Sequence, residues 1–131
     1  MKKLQYSKEV RITITSTGGH SSSPHLAVNA LVIAAQAVKA INAELVYRFA
    51  PDNRPGVLTK ALKSGTAGNI IPAKAEIIYF YTAQDGDSCK KLDRIFTDIP
   101  NQIAGLFGAE CRVNIDEGKV NCLEEEPNVK I

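Results

Sequence analysis

The run from Leu26 to Ala43 constrains this chain more than any other stretch. Ala27, Ala30, Leu31, Ala34, Ala37, Val38 and Ile41 recur at three- and four-residue intervals, which defines one apolar stripe of a helix. Val28, Val32, Ile33, Ala35 and Ala40 make most of the other side apolar too, leaving Asn29, Gln36, Lys39 and Asn42 as the polar positions. A helix packed on a sheet by one face carries charge on the other. This one carries a single charge, so it is expected to be covered twice: by its own sheet and by a second body, either another subunit or another domain. The alanines allow a partner helix to come close.

The segment before it is equally informative. Val10, Ile12 and Ile14 alternate with Arg11, Thr13 and Thr15, the period of a strand. The chain then reads Gly18-Gly19-His20-Ser21-Ser22-Ser23-Pro24-His25, which holds both histidines of the protein. Ser23 reads as a helix N-cap with Pro24 at the first helical position. A histidine in a Ser/Gly turn is commonly a plain surface residue. Here the helix start offers N–H groups and positive potential to an anion, and Gly19 lets a ligand approach the backbone. His20 is therefore a candidate functional side chain.

Further strands are expected over Val57 to Lys63, Ala73 to Thr82 and Cys111 to Ile115. The loop Ser64-Gly65-Thr66-Ala67-Gly68-Asn69 separates the first two of these and suits a hairpin connection. Leu92, Ile95, Phe96, Ile99, Ile103, Leu106 and Phe107 define a one-sided amphipathic helix, with Asp87 as its expected N-cap and Pro100 expected to kink or split it. The order strand, helix, strand, strand, helix, strand predicts an α+β, two-layer ferredoxin-like sandwich: a four-stranded antiparallel sheet with both helices on one face. The domain is placed at 7–117, with 1–6 and 118–131 as linker segments. Exposed sheet edges, together with the doubly apolar helix, favour a homodimer.

Several function classes are excluded or disfavoured. A net charge of +2 gives little attraction for nucleic acid. Gln36, Lys39 and Asn42 interrupt the apolar run, so no membrane span is expected, and the N-terminus lacks the apolar core of a secretory signal. Cys89, Cys111 and Cys122 are odd in number and widely spaced, which argues for free thiols and a cytoplasmic protein. No metal-binding His spacing, nucleophile elbow, Walker loop or dinucleotide fingerprint occurs. Tyr79 and Tyr81 share a strand face and read as sheet packing; an alternative is a free-standing ferredoxin-like regulatory or RNA-binding module, and the aromatic strand Tyr79 to Tyr81 is the sole support for RNA.

Two stretches carry a resemblance. Gly18 to Ala30, followed by Gly-Thr-Ala-Gly-Asn-Ile-Ile-Pro-Ala-Lys-Ala-Glu from Gly65 to Glu76, resembles the dimerisation, or lid, domain of the dinuclear-zinc exopeptidases and amidohydrolases. That family includes carboxypeptidase G, aminoacylase, hippurate hydrolase and succinyl-diaminopimelate desuccinylase. The resemblance implies an insertion in a larger catalytic domain that holds two zinc ions and supplies every metal ligand, so the chain alone is expected to be inactive and to hold no cofactor. It implies pairing through the first helix, with Ala27, Ala30, Ala34 and Val38 at the contact, and through a sheet edge. It implies that His20 reaches the partner subunit's active site and that Asn69 helps to bind substrate, an amide of a peptide or N-acyl amino acid; Gly19 beside His20 is a further candidate substrate-binding position. One departure stands out. Many members carry a carboxylate-binding arginine late in the strand after Asn-x-Ile-Pro, where this chain reads Tyr79-Phe80-Tyr81-Thr82.

Overall fold

The computed structural model of the protein describes residues 2–65 and 68–124. Its spine is β1, Lys2–Thr15. One edge of β1 pairs antiparallel with β5 (Lys74–Ala83), and β5 pairs antiparallel with β3 (Gly56–Ser64). The other edge pairs with β6 (Glu110–Ile115) along its second half and with β7 (Lys119–Glu124) along its first. The order β3-β5-β1-β6, with β7 beside the far half of β1, makes an antiparallel sheet. Helices α1 (Ala30–Tyr47) and α2 (Gly86–Leu106) complete an α+β, two-layer architecture. Two residue pairs form a separate ladder, β2 (Gly19–His20) with β4 (Ile70–Ile71).

Alternation decides the layers. Val10, Ile12 and Ile14 sit opposite Tyr79, Ile77 and Ala75, and all six are fully buried. Ala30, Ile33, Ala34, Ala37 and Ile41 of α1 and Leu92, Ile95, Phe96 and Ala104 of α2 close over that face. Tyr79 and Tyr81 both pack on Phe96, with ring centroids 4.8 and 6.0 Å away. These tyrosines are core residues, so they offer no base-stacking platform and the RNA-binding alternative loses its support. Burial pushes the Tyr79 phenol up to about 12.

Four boundaries differ from the sequence expectation. First, α1 begins at Ala30, not near Leu26, because Asn29 is the cap: its carboxamide oxygen accepts the N–H groups of Leu31 (3.0 Å) and Val32 (3.4 Å). Ser23 makes no capping bond, and Pro24–Leu26 is a single 3-10 turn. Second, Asp85 caps α2 through Ser88 N–H at 2.7 Å, and Asp87 lies in the first turn. Third, Pro100 does not split α2. Its ring is fully buried among core side chains, and that packing outweighs one lost helical hydrogen bond. Fourth, residues 2–6 and 119–124, read as linkers, are strands paired with each other; only 1 and 125–131 of those segments lie outside the described residues.

The expected contact residues are also redistributed. Ala30 and Ala34 are completely buried in the chain's own core, so they cannot form a contact with another subunit; Ala27 and Val38 are half-buried. The apolar side that α1 leaves open carries Leu31, Val32, Ala35 and Val46, and its C-terminal turns flank the β3 edge across a groove lined by Asn42, Leu45, Val46, Val57 and Thr59. By length and composition alone α1 is apolar enough to span a bilayer, contrary to the reading of its polar interruptions. One face of it, Ala30, Ile33, Ala34, Ala37 and Ile41, is buried in the chain's own core.

Candidate functional site

Two loops that are 49 positions apart meet at one end of the sheet. The ladder pairs Gly19 with Ile71 and His20 with Ile70, and Ser21 N–H donates to the Asn69 carbonyl at 3.1 Å. Ser16 anchors the junction: its N–H donates to the Ala73 carbonyl at 2.7 Å and its hydroxyl to the Val28 carbonyl at 2.6 Å. Ala30 N–H donates to the Pro72 carbonyl at 3.0 Å, so the start of α1 is tied to the strand that follows Asn69.

Gly18 is required by this crossing. It holds φ +59°, and a Cβ there would stand 2.7 Å from the Ile71 carbonyl oxygen and 2.9 Å from the Ala73 methyl. A Cβ at Gly19 would meet the Ala27 methyl at 2.7 Å. Gly19, expected to open the backbone to a ligand, is thus also needed for the fit of its own loop on Ala27.

The result is a pair of exposed polar side chains held side by side. His20 Nε2 lies 3.4 Å from Asn69 Nδ2. On the other side of the ring, Nδ1 is 2.7 Å from the Ser22 hydroxyl and accepts the Ser22 backbone N–H at 3.1 Å. With Nδ1 used as an acceptor, the proton of the neutral ring sits on Nε2. Asn69 Nδ2 can only donate, so its contact with Nε2 is a hydrogen bond when Nε2 carries the lone pair; with the proton on Nε2 the two are adjacent donors that one oxygen placed between them would satisfy. His25 lies exposed in the 3-10 turn.

The expected helix-terminus contribution does not hold. Ten positions separate His20 from Ala30, and Asn29 consumes the first free N–H groups of α1. The anion-directed groups at this site are side chains. Sequence reading singled out His20, Gly19 and Asn69 but missed Ser22 and Ser16, and it missed the two-residue ladder that unites the loops. The apolar pair Ile70-Ile71 beside Asn69 was its one visible signal.

No three His, Cys, Asp or Glu side chains cluster among the described residues. Burial pushes the Cys89 thiol up and the half-buried Cys111 thiol to about 11, which leaves neither as a thiolate nucleophile. The side chain of Cys122 lies outside the described residues. In the strand where the family often carries arginine, the Tyr81 hydroxyl points into the helix layer and donates to Asp93 at 2.7 Å.

Fold and site together define an α+β domain with two exposed polar loops held side by side at one end of its sheet. The model of the peptidase dimerisation domain matches residues 3–108, and the chain belongs to that family. Thermostable carboxypeptidase 2 of Saccharolobus solfataricus is 28% identical over 119 residues, covering 91% of this chain and 30% of its own length. N-acetyldiaminopimelate deacetylase of Streptococcus uberis is 26% identical over 121 residues, covering 92% of this chain and 32% of its own. The chain thus spans about a third of the curated relatives it matches. Among solved structures, the aminobenzoyl-glutamate utilization protein of Klebsiella pneumoniae superposes with a TM-score of 0.79 at 15% identity, over 94% of this chain and 30% of that one. A tripeptidase of Staphylococcus aureus gives 0.77 at 19%, over 95% and 32%. These two share the fold.

Proposed function

We propose that this chain is the lid and dimerisation domain of a zinc-dependent hydrolase of peptides or N-acyl amino acids, and that His20 serves the active site of the partner subunit. The observation that carries this reading is the pair of donors, His20 Nε2 and Asn69 Nδ2, held 3.4 Å apart on an exposed loop. Two converging donors match the oxygen that gains charge when an amide carbonyl is attacked. One such donor is worth about 3 kcal/mol of transition-state stabilisation. The two zinc ions belong to the catalytic domain, and the isolated chain is inactive without it. The free thiols support a cytoplasmic setting.

The geometry also supports action in trans. The β1–β7 ribbon brings residues 2 and 124 side by side, suited to continue into one catalytic domain. From Lys2 to Thr15 is 14 residues of strand, roughly 40 Å, and His20 lies beyond the far end. A catalytic domain attached at the ribbon is therefore far from its own His20. A second copy, docked through the open side of α1 and the β3 edge, brings that imidazole to the opposite subunit.

Sedimentation equilibrium of this chain tests the docking surface. A dimer is expected, and Ala35→Glu should raise its dissociation constant at least about tenfold by burying an unpaired charge. Ala34→Glu should instead unfold the protomer. A monomer at high concentration, or an unaffected dimer, would count against the surface.

A further inference from the structure

We propose that the helix-free face of the sheet carries a groove for the charged end of a short peptide, in which Lys74 and Arg112 hold the terminal carboxylate. The proposal rests on the reading of the chain as the lid of a peptide or amide hydrolase, and it names the part of the substrate that lies beyond the His20–Asn69 pair.

The groove follows from strand register. Val10, Ile12 and Ile14 lie in the core under the helices, so Arg11, Thr13 and Thr15 face the other way. On that face Thr15 stands between Lys74 of β5 and Glu110 of β6, and Thr13 stands between Glu76 and Arg112. Two short side chains on the central strand, flanked by long ones on both neighbours, leave a trough along β1. Its volume is about 430 Å³, and Asn114 extends its β6 wall. Small-ligand sites span about 300–1,000 Å³.

Charge selects the ligand. Arg11 binds the Glu76 carboxylate at 3.1 Å, which compensates both. Lys74, Arg112 and Glu110 remain, and among the described residues none of them forms an ion pair. Lys74 and Arg112 rise from opposite walls, two strand spacings or about 10 Å apart, and their long side chains can converge over the threonines. One carboxylate between them satisfies both, and the Thr13 and Thr15 hydroxyls are further donors. Glu110 accepts an N–H next to that carboxylate and repels a second anion. A peptide C-terminus presents this combination.

The groove also leads to the candidate site. Ser16 N–H, just past Thr15, donates to the Ala73 carbonyl, just before Lys74, and the ladder beyond carries His20 beside the Asn69 loop. Ile70 and Lys74 are four positions apart, roughly 13 Å of extended chain. A carboxylate in the groove is therefore about three or four extended residues from a carbonyl at His20. An N-acyl amino acid, with its carboxylate one residue from the amide, is too short to reach; a short peptide is long enough.

The test is an NMR titration of the whole chain with acetyl-triglycine and with its C-terminal amide, which lacks the carboxylate. The acid should give saturable shifts at the Thr13, Thr15 and Arg112 amides. Arg112→Gln and Lys74→Gln should each weaken its binding by about two- to fivefold, the range of one exposed ion pair. The amide, which loses both pairs, should bind about tenfold more weakly. Glu110→Gln should tighten binding of the acid, because a repelling charge is gone. Lys60→Gln, at a cation that pairs with Glu9 outside the groove, should change nothing. Equal binding of acid and amide, shifts spread over every basic residue, indifference to Arg112→Gln, or no saturable shift at all would each overturn the proposal. The titration involves no turnover, so it separates a failure of the groove from a failure of the hydrolase reading.

Discussion

At the scale of single residues, the site consists of side chains whose positions are set by backbone that has no alternative. Gly18 is the clearest case, because its left-handed φ of +59° and the 2.7 Å approach to the Ile71 carbonyl leave no room for a methyl. Gly18→Ala should destabilise the domain by about 1–3 kcal/mol in denaturant melts. It should also separate the His20 and Asn69 loops, read as loss of the β2–β4 amide contacts by NMR; an unchanged melt would contradict this account. His20→Ala, by contrast, removes an exposed ring and should leave stability within about 0.5 kcal/mol. In the assembled enzyme the same change should lower kcat a hundredfold or more. His20 and Asn69 were singled out in the sequence by the paired family motifs they stand in, since their residue types alone read as plain loop residues. Ser22 was not, because one serine among three gives no hint of which one faces the ring.

At the scale of elements, tertiary contacts moved the boundaries that local signals set. The Ser23-Pro24 start signal lost to Asn29 because Ala30 N–H is tied to Pro72, a contact that no local pattern contains. The Pro100 signal lost to core packing. At the other helix, the Asp85 carboxylate is held below its ordinary value by the Ser88 backbone N–H and by Asn53. A depressed carboxyl contributes stability above its unfolded pKa of about 3.8, and that stability is lost as pH falls through the folded value. Asp85→Ala should therefore cost about 1 kcal/mol near neutral pH, and the gap from wild type should narrow in acid. Constant cost down to pH 2.5 would refute the cap assignment. Asp93 joins α2 to the sheet: it accepts Tyr81 OH at 2.7 Å and Lys8 Nζ at 2.8 Å. Asp93→Ala leaves the Tyr81 hydroxyl without its partner and should cost about 1–3 kcal/mol in denaturant melts. The strands over Val10 to Ile14 and Ala73 to Thr82 were legible throughout, the first by strict alternation over a buried face and the second by its run of β-branched and aromatic residues.

At the scale of the whole molecule, the doubly apolar helix was the most informative feature, and half of its message needed the structure. The pattern announced two covered sides. It could not say which alanines faced which side, because alanine serves close packing in either place, and Ala30 and Ala34 turned out to be core. The ribbon of β1 and β7 was hidden for another reason: Lys119 to Glu124 has too little alternation to read as a strand until β1 pairs with it. On the proposed reading the ribbon attaches the domain, the β3 edge and the open side of α1 pair two copies, and the two joined loops present His20. The most direct measurement is active-site complementation in the assembled enzyme. One inactive variant carries His20→Ala, and the other lacks a metal ligand in its catalytic domain. If His20 works across the dimer, mixing them with subunit exchange should restore about a quarter of wild-type activity, since half the dimers are mixed and each has one complete site. No recovery from exchanged dimers would place the imidazole in its own subunit's site and contradict the account.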